Sequence, residues 1–259
     1  MIHSTLRKQE VAAPYAFARQ FVDCLPQTFN QEGDEIYTGR NTVKTYNVDG
    51  TTLVAKRFKR PNIIQRIAYS FFKPSKAERA YRFAKMIRER GFNTPHEVAF
   101  VEMQQHGLML DSYFVSAACM LPPLSKLLRR PDFSHKAATD LALFIVKLHQ
   151  KGVLHGDLNL TNILYEQDPS GNYLFTLIDT NRSTFCQPNR KQCLQNMLRL
   201  SHDRPLLSFV TARYAEARGW NADETVATMM RMLDKFEERL RRKSKIKNAV
   251  RNRQASTRP

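Results

Sequence analysis

A chain of 259 residues, 42% apolar and 25% charged, has the composition of a globular protein with room for one large core or two small lobes. Lys and Arg number 41 against 24 Asp and Glu, and the formal charge of +17 points to an anionic partner: nucleic acid, an acidic membrane or a phosphorylated glycolipid. Cys24, Cys119, Cys186 and Cys193 have no Cys-x-x-Cys spacing, which argues against a zinc site. No apolar run is long enough to span a bilayer and no secretory leader opens the chain, so a cytoplasmic protein is expected, at most peripheral on the inner membrane.

Residues 1–35 predict one helix near Ala13–Cys24, an N-terminal extension with no assigned chemistry. Three antiparallel strands follow, Ile36–Thr38, Thr42–Asn47 and Thr51–Phe58, with Asp49-Gly50 as a hairpin signal between the last two. The turn Gly39-Arg40-Asn41 reads equally as an ordinary hairpin or as backbone that contacts phosphate. Strand alternation sets Val54 and Lys56 on one face, Leu53 and Ala55 on the other. A basic, aromatic connection over 61–74 leads to a helix over Ser75–Arg90. Ser75 and Glu78 are spaced as a capping box, and Ala77, Ala80, Tyr81, Ala84 and Ile87 recur at helical spacing. Glu97–Gln104 and Asp111–Met120 complete a five-stranded sheet before Pro122-Pro123.

Ser134–Lys151 is a second strong helix, stopped by Gly152. The chain then runs through the polar loop His155–Asn162 into Ile163-Leu164-Tyr165. Asn162–Tyr165 and Leu174–Asp179 predict a hairpin about Pro169–Asn172, which brings Asn162 and Asp179 to one edge. The remainder reads as helical: Asn189–Leu200, Leu206–Arg218, and Ala222 to about Lys247. Met229, Met232, Leu233, Phe236 and Leu240 form a core stripe on the last. A basic tail follows, with Arg239, Arg241, Arg242, Lys243, Lys245, Lys247, Arg251 and Arg253.

Phosphoryl transfer needs a carboxylate near the attacking hydroxyl and oxygen ligands for the metal on the triphosphate. Asp157, Asn162 and Asp179 supply those types. His155-Gly156-Asp157-Leu158-Asn159-Leu160-Thr161-Asn162, followed by Ile178-Asp179-Thr180-Asn181-Arg182, resembles the catalytic loop and metal-binding strand of the protein-kinase-like superfamily, usually His-Arg-Asp-Leu-x-x-x-Asn and Asp-Phe-Gly. Gly replaces Arg, and Thr-Asn replaces Phe-Gly. His-Gly-Asp-Leu-Asn with a later Ile-Asp-x-x-Arg is most similar to the lipopolysaccharide kinase family, which phosphorylates Kdo or heptose in the inner core.

The resemblance implies an α+β, protein-kinase-like two-lobe fold. Its N-terminal lobe, 36–121, holds the five-stranded antiparallel sheet plus a helix. The C-terminal lobe, 122–247, is mainly helical, and a basic tail covers 248–259. ATP and Mg²⁺ are the implied cofactors. Asp157 is the expected base, Lys56 binds the α- and β-phosphates, and Glu78 pairs with Lys56. Glu78 has two competing readings, as the capping-box acid and as an i, i+4 partner of Arg82. Asn162 and Asp179 are the expected metal ligands. Gly39, Val43, Ala55, Lys56, Met120, Leu121 and Leu164 are the expected nucleotide contacts, with Val43 and Ala55 over the adenine and Met120-Leu121 at the hinge. Arg182 matches the family's Arg, and His155 is expected to hold the loop by hydrogen bonds.

No Ala-Pro-Glu follows Asp179, and the short segment there favours a small or lipid-linked acceptor over a peptide. The expected partners are the lipopolysaccharide inner core and the anionic inner-membrane surface, the latter through the basic tail. Alternatives are a small-molecule kinase of the aminoglycoside or choline type and an atypical protein kinase. The non-enzyme alternative is a basic nucleic-acid-binding pseudokinase. Retention of Lys56, Asp157, Asn162 and Asp179 together disfavours it, and no nucleic acid is expected as partner.

Overall fold

The structure, a computed structural model, describes residues 4–256, with side chains as far as Lys245. Thr5–Val11 forms β1, and after a 3-10 turn over Ala13–Ala18 helix α1 runs from Arg19 to Thr28. Next come β2 (Asp34–Thr38), β3 (Thr42–Val48) and β4 (Thr51–Arg57), with Asp49 and Gly50 at positive φ in the last turn, as their sequence predicts. Helices α2 (Ile63–Phe71) and α3 (Lys76–Glu89) precede β5 (Glu97–Gln105) and β6 (Leu108–Ala117).

These strands make one six-stranded antiparallel sheet, ordered β1-β5-β6-β4-β3-β2, where five strands were predicted. The extra strand, β1, lies in the segment expected to contribute only a helix. Its residues are all exposed or half-buried, so it carries little apolar signal, and the long-range pairing with β5 is what holds it extended. The connection over 61–74 likewise holds an unpredicted helix, α2, capped by Asn62, whose side chain accepts from the Gln65 N–H.

Each face of the sheet is covered by a helix. Leu53, Ala55, Ala99 and Val101 pack on Val22, Leu25 and Phe29 of α1. On the opposite face Phe58 and Phe100 pack on Ala77, Ala80 and Tyr81 of α3. Burial on both sides explains why β5 reads as an apolar run rather than an alternation.

The chain then crosses to the second lobe. The Tyr165 N–H donates to the Pro122 carbonyl at 3.0 Å and the Leu124 N–H to the Ile163 carbonyl at 2.8 Å, clamping the crossing strand of chain to the hairpin below it. The short α4 (Ser125–Leu128) and the long α5 (His135–Gln150) lead to β7 (Val153–Leu154), then to the hairpin of β8 (Ile163–Gln167) and β9 (Tyr173–Leu177). β10 (Thr184–Phe185) returns to pair with β7, and α6 (Arg190–Met197), α7 (Arg204–Ala217) and α8 (Ala222–Ser256) complete the lobe.

The core of this lobe joins Leu141, Ile145 and Leu148 of α5 to Leu206, Val210 and Tyr214 of α7 and Met229 and Leu233 of α8. Each such side chain contributes about 1.5–3 kcal/mol on burial. The stripe predicted on α8 therefore divides: Met229 and Leu233 are buried, Phe236 lines a cavity, and Leu240 is exposed. The α8 backbone stays helical to Ser256, but the side chains of Lys247, Arg251 and Arg253, and residues 257–259, lie outside the described residues. Among the described residues no helix is long and apolar enough to cross a membrane.

Candidate active site

The loop between β7 and β8 is shaped by its own polar groups. His155 is fully buried; its Nε2 donates to the Ile178 carbonyl at 3.0 Å and its Nδ1 accepts from the Asp157 N–H at 3.3 Å. One donor and one acceptor suit a neutral imidazole, and burial holds its pKa below the usual histidine value. Asn159 Oδ1 accepts from the backbone N–H groups of Thr161 (2.9 Å) and Asn162 (3.2 Å), which curls the loop toward β8.

Gly156 has a steric explanation. Its φ is 73°, and a Cβ there would stand 2.3 Å from the Arg182 carbonyl oxygen, so the Arg of the usual motif does not fit. The Gly156 N–H donates to Asn196 Oδ1 at 3.0 Å. Asn196 Nδ2 in turn meets His149 Nε2 at 3.0 Å, and His149 Nδ1 meets the Tyr214 hydroxyl at 2.9 Å. A buried polar chain from α7 through α5 and α6 thus holds the loop. Burial first, and then the charge of Arg218, push the His149 pKa down to about 3, so this imidazole is neutral.

β9 delivers Ile178 and then Asp179, which sits in the left-handed region at φ 58° and ψ 45°. That conformation is uncommon for a residue with a side chain. The Asp179 carboxylate accepts from Lys56 Nζ at 2.6 Å and from Asn181 Nδ2 at 2.6 Å. Lys56, from β4, also lies over the Phe58 ring, 5.2 Å from its centroid. Asn162 Nδ2 donates to the Asp157 carbonyl at 2.9 Å, which leaves its Oδ1 as the atom available to a metal.

Lys56, Asn162 and Asp179 form the polar end of a cavity of about 420 Å³ between the lobes. Val43 and Val54 line it from the sheet, Leu164 and Ile178 from the hairpin of the second lobe, and Cys119 and Leu121 from the crossing. An apolar slot with one charged end suits a nucleotide. Asn162 Oδ1 and the Asp179 carboxylate are oxygen donors at the same end of the cavity, a set that fits a Mg²⁺ completed by phosphate oxygens and water.

Several expected positions are corrected. Ala55 is fully buried against α1 on the far face of β4; Val54, on the Lys56 face, takes the place expected of it. The Met120 side chain is 83% exposed, so only its backbone is left for the contact expected at the hinge; Leu121, as expected, and Cys119 line the cavity. Gly39 does not line the cavity. A Cβ on it would meet the Tyr37 hydroxyl at 2.6 Å, its N–H already donates to the Asn41 carbonyl at 3.1 Å, and Ile36 and Tyr37 form that wall.

The expected Glu78–Lys56 pair is not formed. Glu78 accepts from Lys8 of β1 and from Arg82 at 2.6 Å, while its N–H donates to Ser75 Oγ at 3.1 Å. The cavity side of α3 presents Ala80 and Ala84, and Glu78 lies about 200° around the helix from Ala80. Of the two local readings of Glu78, the Arg82 pair is formed, while the capping box is only half formed: Ser75 Oγ accepts from the Glu78 N–H, and the Glu78 carboxylate turns to Lys8 and Arg82. Lys8 has no sequence signal.

Lys76, the first residue of α3, is half-buried and within the influence of several cations. The Lys76 pKa is lowered from its usual value, first by burial and then by the charges of Arg40, Arg182, Arg79 and Lys56. A second cavity, of about 520 Å³, opens beside Asp157 and is lined by Arg129, Arg130, Arg199, His202 and Phe236 as well. The Asp157 carboxylate accepts from Arg182 Nη1 at 3.1 Å and from Arg199 Nη1 at 3.1 Å. Asp157 therefore stands at the wall of one cavity, with Asn162 and Asp179 in the next.

The model of the lipopolysaccharide kinase (Kdo/WaaP) family matches residues 28–217. The chain belongs to that family. Two 3-deoxy-D-manno-octulosonic acid kinases of Vibrio vulnificus, from strains CMCP6 and YJ016, are 26% and 25% identical to it over 135 residues. The aligned stretch is 50% of this chain and 57% of theirs, so the chain spans little more than half the length of these curated relatives. A solved structure, of WaaP in complex with acyl carrier protein, superposes with a TM-score of 0.61 at 14% identity, covering 90% of this chain and 99% of that one. This family member thus has the expected α+β, kinase-like fold, with β1 added to the sheet outside the residues that the family model matches.

Proposed function

We propose that this protein is an ATP-dependent phosphotransferase acting on a sugar hydroxyl of the lipopolysaccharide inner core, Kdo or heptose. The observation that carries the reading is the 2.6 Å pair of Lys56 and Asp179, which joins the sheet to the second lobe at the end of an apolar cavity. Lys56 holds the α- and β-phosphates. Asn162 and Asp179 would hold Mg²⁺, which when bound neutralises charge on the phosphate oxygens. Asp157 orients or deprotonates the acceptor hydroxyl, and Arg182 and Arg199 fix the direction of its carboxylate. Lys76 and the charges of Arg40 and Arg182 that act on it lie within range of Lys56 and add attraction for phosphate.

The acceptor cavity supports a charged sugar over a peptide. It has Arg129, Arg130 and Arg199 on its walls and Phe236 as an apolar surface. A lipid-linked acceptor places the enzyme at the cytoplasmic face of the inner membrane. The test is incubation with Mg-ATP and a Kdo-bearing lipid A precursor, read by mass spectrometry for the gain of one phosphate. Mass gain only on small soluble alcohols would remove the inner-core assignment. Absence of thermal stabilisation by Mg-ATP would remove the kinase reading itself.

A further inference from the structure

Helix α2 has two unlike sides. Its inner side is pinned to the end of the β5–β6 hairpin: Arg66 Nε donates to the Met109 carbonyl at 2.9 Å, Ser70 Oγ accepts from the Met109 N–H at 2.8 Å, and Arg7 donates to the Ser70 carbonyl at 2.7 Å. Tyr69 is buried there. The outer side is apolar and bare. Ile63, Ile64, Ile67, Phe71 and Phe72 are all exposed, Ile64 at 75% and Phe72 at 81%. Contiguous large apolar side chains on a rigidly held helix mark an interaction surface.

The charge around this face selects the partner. From Lys59 to Lys76 the chain carries Lys59, Arg60, Arg66, Lys73 and Lys76 and no carboxylate. Arg60 is paired to Asp111 at 2.7 Å and Arg66 is turned inward, while Lys73 lies over the Tyr69 ring at the rim of the apolar face. An isoleucine and phenylalanine face bordered by Lys73, in a segment with no carboxylate from Lys59 to Lys76, is the chemistry of a helix that lies in the headgroup region of an anionic bilayer. On the described part of α8, Arg241 is paired with Glu237 and Arg242 with Glu238, so those two cations are matched by carboxylates of their own helix.

We propose that α2 is the surface on which the enzyme rests against an anionic bilayer, with Ile63, Ile64, Ile67, Phe71 and Phe72 inserted at the headgroup–acyl boundary. The purpose of this contact rests on the lipid-linked acceptor proposed above. Geometry gives it that use. From Phe72 the chain passes through Lys73-Pro74-Ser75 straight into α3, whose Ala80 and Ala84 line the cavity between the lobes. Docking α2 therefore holds that cavity close to the membrane plane.

The experiment is co-sedimentation of the full chain with phosphatidylglycerol vesicles, with phosphatidylcholine vesicles as control. Wild type is expected to sediment with the anionic vesicles only. Ile64→Ser/Phe72→Ser, at two exposed positions, is expected to lower the vesicle-bound fraction at least about tenfold. Arg241→Glu/Arg242→Glu is expected to bind as wild type. The serine pair is also expected to leave turnover on a soluble inner-core sugar unchanged and to slow turnover on the lipid-linked acceptor in vesicles. Failure of wild type to sediment, sedimentation unaffected by the serine pair, or loss confined to the Arg241/Arg242 variant would overturn the proposal. Preference of the same face for a soluble acidic protein over vesicles would overturn it too. Vesicle binding needs no nucleotide, so a failed phosphotransfer assay leaves this result standing and the two readings fail separately.

Discussion

The two cavities that meet at the loop His155–Asn162 are built in different ways. The one between the lobes is apolar, with Val43, Val54, Leu164 and Ile178 on facing walls and charge confined to one end. Its polar residues come from strand ends and the turns beside them, where backbone geometry sets their spacing. The one beside Asp157 is cationic and is assembled from the ends of α4, α6 and α7 and the middle of α8. On the proposed reading, handling of a triphosphate would be written into local patterns of the chain, and recognition of the acceptor would depend on how the helices stack.

Substitutions should separate the two sides. The largest effect is expected for Asp157→Ala, at the boundary: turnover should fall roughly 10²–10⁴-fold with ATP affinity nearly unchanged, measured by steady-state kinetics on both substrates. Equal losses of turnover and ATP affinity would break the division. Next comes acid. The folded-state pKa of His149 is about 3 against 6.5 when unfolded, so below pH 6.5 the unfolded chain takes up a proton that the folded one refuses. Stability should fall as pH drops through this window, by about 2–3 kcal/mol near pH ~4.5, as read by urea midpoints. A His149→Gln variant should flatten that slope.

Arg199→Ala tests the cationic side together with the setting of the Asp157 carboxylate. It should raise the acceptor KM about tenfold, lower turnover by less than Asp157→Ala does, and leave the ATP KM within about twofold. The smallest kinetic effect is expected for Glu78→Gln, within about twofold on turnover, because Glu78 faces Lys8 and Arg82 and not Lys56. Its cost should appear instead as about 1–3 kcal/mol of stability, since a buried acid with two cationic partners is lost. A large fall in turnover would restore Glu78 to the nucleotide side.

What could be read in advance follows the same division. The placement of Lys56, Asn162 and Asp179 at one cavity, with Asp157 close by in the loop, was legible because each sits at a strand end or tight loop whose turn residues fix the local path. Val54 was misjudged for Ala55 although alternation alone, with Lys56 as reference, puts Ala55 on the buried face. Glu78 was assigned by analogy, and the helix periodicity that sets it about 200° from Ala80 argues otherwise. Arg199, Arg129, His202 and the Asn196–His149–Tyr214 chain were invisible. They lie far apart in sequence, and nothing beside any of them marks its destination. β1 was missed for the same reason: a weakly apolar stretch is made a strand by a distant partner.

That partner has a further bearing. β5 is apolar along most of its length, and β1 is what satisfies its outer row of backbone N–H and C=O groups. A chain that lacked β1 would leave that row open as a largely apolar edge. Such an edge templates pairing between molecules. Thr5–Val11 therefore acts as a guard against aggregation, and its removal should be visible as loss of soluble monomer.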